Sequence, residues 1–261
     1  MSYADNFKLF GPAFDCSLQT SLNQVFTWAK RNRLSLNPEK CAVLLLGQDN
    51  PKTVYLLGDS VLPSRSSHRD LGVIIDDKLN FHQQVDSAVN NATRKAYFIL
   101  KKFVHLDTQL FALLYKSFIR PILEYCSQIC RPYHSTFFSK LESCQRRLTK
   151  WCKPIRHLTY EERLVRLKLP SLRYRFDRGD AILTFQILNG LLDVNPINFF
   201  TFSTNQTRGH SFKLRGYKSS LCSRQSFFTE RVVFPWNKLT EFVVSAPSLN
   251  SFKVRYDALQ K

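Results

Sequence analysis

The side chains of this chain that are able to do chemistry fall into an acidic, a thiol–imidazole and a basic group. The acidic group begins with Asp5, in the opening stretch "SYADNFKLF" (residues 2 to 10). Apolar residues flank Asp5 and Asn6 on both sides. That alternation predicts a β-hairpin, with Asn6 suited to a positive φ at its turn. A carboxylate at a hairpin tip holds a metal only with partners; alone it is a solvated turn at a chain end. Asp76 and Asp77 form a second acidic pair, which a turn at a strand end explains. Cys126, Cys130 and His134 are spaced four apart, a spacing open to zinc. Paired CxxC knuckles are absent, however, and Cys126 and Cys130 fall on an expected apolar helix face, which points to packing. His68, His82 and His157 show no partner spacing.

The basic group is the largest. Between Lys101 and Lys153 stand ten bases (Lys101, Lys102, Lys116, Arg120, Arg131, Lys140, Arg146, Arg147, Lys150 and Lys153) against three acids, Asp107, Glu124 and Glu142. Arg146, Arg147, Lys150 and Lys153 fall along one side of an expected helix that also carries Trp151. A solvated helix face mixes signs. One sign beside an aromatic suits a phosphate backbone, so these four are the expected nucleic-acid contacts. Trp151 follows Leu141, Cys144 and Leu148 at helical spacing, which places it toward the core.

Composition agrees with that partner. The 261 residues carry 38 Lys and Arg against 20 Asp and Glu, a net charge of +18. A globular chain this basic meets polyanions, nucleic acid first among them. At 44% hydrophobic residues, with no low-complexity tract, the chain is not of the disordered class. No run of about 18 apolar residues occurs, and "MSYADNFKLF" lacks a basic-then-apolar leader, so neither a membrane span nor secretion is expected. The seven cysteines, an odd number, are then read as reduced thiols in an intracellular protein, nuclear or cytoplasmic.

A scaffold of helices and strands can be read around these residues. After the hairpin, Leu18, Leu22, Val25, Phe26 and Ala29 recur every three to four residues, predicting a helix capped by Asp15 or Ser17. A strand is expected over residues 41 to 46, a hairpin turning at Gly58 and Asp59, and another strand over residues 71 to 75, with a Gly bulge at Gly72. From Phe81 the period becomes helical. One helix carries Val85, Ala88, Val89, Ala92, Ala96, Ile99, Leu100 and Phe103. A second opens at Asp107 or Thr108, runs to residue 130 and is kinked by Pro121. A third contains the basic cluster. Thr159 and Glu162 form a capping box for a fourth, and a fifth ends at Gly190. Beyond Asp193, "HSFKLRG", "FFTERVVFPWNKL" and "SLNSFKVRYDAL" read as short β-like or irregular segments.

Taken in order, these pieces resemble the carboxy-terminal half of a non-LTR retrotransposon reverse transcriptase of the jockey or CR1 kind. "YADN" stands where that family has Tyr/Phe-Ala-Asp-Asp. "LQTSLNQVFTWAKRNRLSLNPEKC" resembles the segment leading into N-P-x-K-C, and "YLLGDSVLPSRSSHRDLGVIID" the primer-grip strands. "LYKSFIRPILEYC", "LESCQRRLTKW", "YEERLVRLKLPSL" and "WNKL" resemble the thumb and the segment after it in these elements. The resemblance implies an α+β chain: an incomplete polymerase palm over residues 1–80, a helical thumb over 81–155 and a mixed carboxy-terminal region over 156–261. It implies that Asp5 is a metal carboxylate, with neutral Asn6 in place of the family's second Asp. It implies that Lys40 lies near the triphosphate as a general acid, and that Arg69, Asp70, Leu71 and Gly72 belong to the primer grip. The family enzyme uses Mg2+ or Mn2+ with an RNA and DNA template-primer. Without the fingers and the upstream carboxylate, this chain alone is expected to bind no metal and not to polymerise. The competing expectation is a non-enzymatic module that binds RNA or DNA, or another protein.

Overall fold

The computed structural model describes residues 2–3, 6–15, 17–47, 49–103, 105–131, 135–203, 209–217 and 219–259. It is a mixed α+β structure, about 53% helical, in which the sheets are small and helices carry most of the core. The chain divides into two compact units, Met1–Asn80 and Phe81–Lys261.

In the first unit, β1 (Ser2–Tyr3) pairs antiparallel with β2 (Asn6–Phe7), Tyr3 facing Asn6. Asn6 is therefore a strand residue and not the turn residue expected; Ala4 and Asp5 lie outside the described residues. Helix α1 (Ser17–Arg31) comes next, the Asp15 carboxylate accepting from the Ser17 backbone N–H at 2.9 Å. The apolar stripe of α1, Leu18, Leu22 and Phe26, packs on a small core of Tyr55, Leu57 and Leu62.

The strands are short. β3 (Val43–Leu44) pairs in parallel with β6 (Ser64–Arg65), and β4 (Leu56–Leu57) forms a hairpin with β5 (Ser60–Val61). The turn of that hairpin is Gly58 and Asp59, as the sequence predicts. Gly58 sits at φ +61°, and a Cβ there would stand 2.7 Å from the Phe26 ring, so both conformation and space demand glycine. The Gln19 amide of α1 completes the β4 edge, accepting from the Leu56 N–H at 3.0 Å and donating to its carbonyl at 2.9 Å.

β7 (Ser67–Asp70) and β8 (Val73–Asp76) form a second hairpin. Here the expected strand over residues 71 to 75 is corrected. Leu71 (φ +46°) and Gly72 (φ +85°) are the two turn residues, both left-handed, as a tight two-residue hairpin requires. The Asp76 carboxylate is 5% exposed and accepts from the backbone N–H groups of Lys78 and Asn80, both at 3.1 Å, so it is a turn-forming group.

In the second unit, α2 (His82–Leu100) buries Val85, Ala88, Val89, Ala92, Ala96 and Leu100, the stripe read from the sequence. α3 (Thr108–Leu114) is capped by the Asp107 carboxylate at 2.7 Å from the Leu110 N–H. It continues through one π turn (Tyr115–Ile119) into α4 (Arg120–Glu124). Proline explains the π turn. Pro121 has no N–H and its ring crowds the preceding turn, so the ladder shifts and the Arg120 N–H reaches back five residues to the Tyr115 carbonyl. The helix stops at Glu124 rather than at residue 130. Cys126 lies at φ +56° in the turns beyond it, off any helix face.

α5 (Ser135–Thr149), α6 (Tyr160–Leu167) and α7 (Leu172–Leu188) complete the bundle. The Thr159–Glu162 capping box forms as predicted, and Gly190 ends α7 at φ +63°. One core cluster gathers residues of α2 to α7 around Phe111, Tyr115, Ile119, Leu148 and Leu172.

After α8 (Cys222–Gln225), which buries no residue, a second core cluster around Phe185, Trp236 and Phe252 is built by the end of α7 with α9 (Phe228–Arg231), α10 (Val233–Asn237), α11 (Glu241–Val244) and α12 (Leu249–Ala258). Helices therefore replace most of the β-like segments expected beyond Asp193, among which the described residues keep one bridge, Phe202 with Leu214. In "SLNSFKVRYDAL" the alternation of Phe252, Val254 and Tyr256 mimics a strand. Phe252 and Tyr256 are also four apart, one helical turn. The helix buries both and leaves Val254 70% exposed.

Candidate nucleic-acid interface

The basic cluster is built at the C-terminal end of α5. Asp86 pairs with Lys140, and Thr93 Oγ1 accepts from Arg147 Nη2 at 2.9 Å. Both links join residues 54 apart, so α2 and α5 run parallel in register and their C-terminal ends share one end of the bundle. Cations there meet the negative ends of two helix dipoles.

Arg146, Arg147 and Lys150 are exposed. Lys153 is exposed too, but it lies past the end of α5, on the 3₁₀ turn Lys153–Ile155. Arg156 is next and is also exposed; its side chain shares one depression with Lys150, Trp151 and Lys153. Sequence reasoning missed Arg156 because helical spacing does not extend through Pro154. The alternation of buried Cys152 and Ile155 with exposed Lys153 and Arg156 was the signal available. Among the described residues, none of these five cations is ion-paired. Trp151 is half-buried against the first core cluster, the packing its helical spacing implied.

Beneath the surface, polar groups hold the cluster in place. The Arg163 guanidinium, 1% exposed, donates from Nη2 to the Arg146 carbonyl at 3.1 Å, from Nε to Thr149 Oγ1 at 3.2 Å and from Nη1 to the Leu158 carbonyl at 2.6 Å. It thereby joins the end of α5 to the start of α6. The Arg146 guanidinium lies 4.7 Å from the centre of the Tyr160 ring. Burial, and then its hydrogen bond to Glu142, push the Tyr160 hydroxyl far above its ordinary range, so it stays protonated. Gln145, 1% exposed, accepts from the Tyr115 hydroxyl at 2.7 Å and donates to the Tyr160 oxygen at 2.9 Å. Glu142 also accepts from the Leu172 N–H at 3.0 Å, which caps α7.

The acids of this unit are largely engaged inside it. Arg175 grips Glu124 through two hydrogen bonds, Arg178 grips Asp257 the same way, and Asp180 holds both Arg131 and Arg231. Asp107 and Glu162 cap helices. With these carboxylates committed to other arginines and to helix caps, the cations at the end of α5 are left without acidic partners among the described residues, within a chain of net charge +18.

The other expected site residues lie in the first unit. Asp5 is outside the described residues. Lys40 is exposed at the end of a 3₁₀ turn (Pro38–Lys40). Arg69 is exposed on β7, Asp70 is ion-paired with Lys8 at 2.5 Å, and Leu71 and Gly72 form the turn described above. That ion pair ties the segment after β2 to the β7–β8 hairpin. It also occupies Asp70. Among the described residues no three His, Cys, Asp or Glu side chains converge as metal ligands; His134 lies outside them. No helix of the described residues is long and apolar enough to cross a membrane.

Over 110 residues the chain is 26% identical to an uncharacterized protein of Caenorhabditis elegans. The match covers 41% of this chain and 55% of that protein, so the chain spans about half the length of the curated relative it matches. No family model and no solved structure matches.

Proposed function

We propose that this chain is a nucleic-acid-binding part of a polymerase of the non-LTR retrotransposon reverse transcriptase kind, and that it grips the backbone of RNA or of an RNA–DNA duplex with the basic end of α5. One observation carries the binding: Arg146, Arg147, Lys150, Lys153 and Arg156 face solvent within eleven residues, none ion-paired among the described residues, while Glu124, Asp180 and Asp257 are paired with other arginines. The placement in that family rests on the order of the sequence motifs. The element order, small strand pairs and then a helical bundle, supports it. Catalysis is not part of the proposal for the 261-residue chain.

Each phosphate neutralised releases condensed counterions, so binding should weaken steeply with salt. Changing Arg146, Arg147 and Lys150 together to Gln should make the slope of log affinity against log salt shallower by about 2 to 3 on a duplex. Fluorescence anisotropy titrations at several salt concentrations read this directly. An unchanged slope in the triple variant would remove this face as the nucleic-acid surface.

A further inference from the structure

We propose that the end of α5 carries a single-strand subsite, in which one unpaired base stacks on Trp151 while the flanking phosphates are held by Lys150, Lys153 and Arg156. The proposal rests on the nucleic-acid reading above and adds the strand state that this end of the face selects. Its physical basis is an open depression of about 500 Å3 lined by Lys150, Trp151, Lys153 and Arg156. The depression is open to solvent, so a base could reach the Trp151 side of it without displacing any of the core.

The tryptophan is suited to be a platform. One side of the residue packs on the core formed by α2, α5 and their neighbours, so the ring is fixed before anything binds. Its indole N–H makes no hydrogen bond among the described residues, and the residue lines the depression. The rim is equally fixed. Cys152 (0% exposed) and Ile155 (6%) anchor the chain on either side of Lys153, and Pro154 stiffens the turn between them. Arg163 clamps both ends of this segment through the Thr149 hydroxyl and the Leu158 carbonyl. A preformed site avoids ordering costs at binding.

Strand state follows from geometry. In a duplex the base faces are stacked on one another, and an aromatic ring beside the backbone reaches none of them. An unpaired base offers its whole face, and a cationic rim around an aromatic is the arrangement by which single strands are held. Carboxylates of an acidic peptide would meet the same cations but draw nothing from the ring, which makes stacking the discriminating contact.

The test uses the full chain and three labelled probes of equal length: oligo(dT), an abasic strand with the same phosphates, and a blunt duplex. Oligo(dT) should bind roughly 5- to 150-fold more tightly than the abasic strand, the contribution of one stacked base. Trp151→Leu should erase that difference and leave duplex affinity within about twofold, while Trp151→Tyr should retain most of it. Should Trp151→Leu fail to fold, Trp28→Phe protein serves instead. Trp236 is 2% exposed, so quenching of its emission by oligo(dT), but not by the abasic strand, reports Trp151. Equal affinity of the unmodified protein for oligo(dT) and the abasic strand would overturn the subsite. So would displacement of oligo(dT) by polyglutamate as readily as by unlabelled oligo(dT). Neither result touches the basic-face reading, which fails separately, on an unchanged duplex salt slope in the triple Gln variant.

Discussion

Arg163 shows how a single side chain sets up a surface it does not belong to. Its guanidinium is buried and meets two backbone carbonyls and a hydroxyl, with no carboxylate partner among the described residues. A guanidinium presents its donors in a fixed fork, so one residue bridges the end of α5 and the entry to α6, where a lysine's point charge would reach fewer acceptors. Arg163→Met should leave those acceptors without donors and cost about 2–3 kcal/mol. In a unit of this size that corresponds to a fall of roughly 5–10 °C in melting temperature. Arg163→Lys should fall between. Thermal denaturation followed by circular dichroism checks this, and an unchanged midpoint for Arg163→Met would show that water replaces the guanidinium without loss. The Tyr160 ring, between Arg146 and Arg163 at 4.7 and 5.8 Å from their guanidinium carbons, also depends on this bridge.

Among the elements, α7 connects the two core clusters, contributing Leu172 and Phe176 to one and Phe185 and Ile187 to the other. Its polar residues clamp the neighbours. Asp257 of α12 accepts from Arg178 through both oxygens, at 2.6 and 2.9 Å, and from the Tyr174 hydroxyl at 2.5 Å. Burial raises the Asp257 carboxyl, but the bonds from Arg178 and Tyr174 outweigh it and hold the group below its usual value. The Tyr174 hydroxyl is pushed up to about 12, first by burial and then by its bond to Asp257, so it remains a donor at neutral pH. The sign is that of a depressed carboxylate. Its contribution is present above the unfolded value, about 3.9, and is lost as pH falls through the folded one. Asp257→Asn should therefore lower the melting temperature near neutrality by about 2–4 °C, a contribution near 1 kcal/mol for a half-exposed pair. The gap should close as pH drops below the usual carboxylate range. Parallel melting curves of both proteins across acidic pH would show it, and a gap independent of pH would contradict the clamp.

Across the full chain, the two units differ in how they are held together. The first buries a core of Tyr55, Leu57 and Leu62 under α1, and its described strands are two to four residues long in separate pairs. It leaves Phe10, Phe14, Val54 and Val61 exposed at 81%, 80%, 66% and 62%. Short pairs with open edges and little buried apolar area open locally. Backbone amides of residues 17 to 76 should therefore exchange hydrogen faster, by about ten-fold or more, than those of α2, α5 and α7, since a difference of about 1.4 kcal/mol in opening is tenfold. Hydrogen exchange read by mass spectrometry tests this, and uniform slow exchange across both units would refute it. Exposed apolar residues at open strand edges also make the first unit the expected origin of aggregation.

Features that depend on near neighbours along the chain were legible in the sequence. The capping box at Thr159 and Glu162, the Asp107 cap, the buried stripe of α2 and the Gly58–Asp59 turn are all set within a few residues, by periodicity, side-chain caps and glycine's freedom at positive φ. The clustering of Arg146, Arg147 and Lys150 was legible for the same reason. Features that depend on distant partners emerged only with tertiary packing. Phe252 and Tyr256 satisfy helical and strand periods alike, and only a core supplied by Phe185 and Trp236 selects the helix. Leu71 takes a left-handed turn position because β7 and β8 must pair in register around it. Arg156 joins the basic face because Cys152 and Ile155 are buried, and Arg163 is internal because carbonyls from two helix ends converge on it. A charge's exposure is fixed by where the oppositely charged groups end up. Here they end up on α7, α4 and α12, paired with other arginines and away from the cations they leave uncovered.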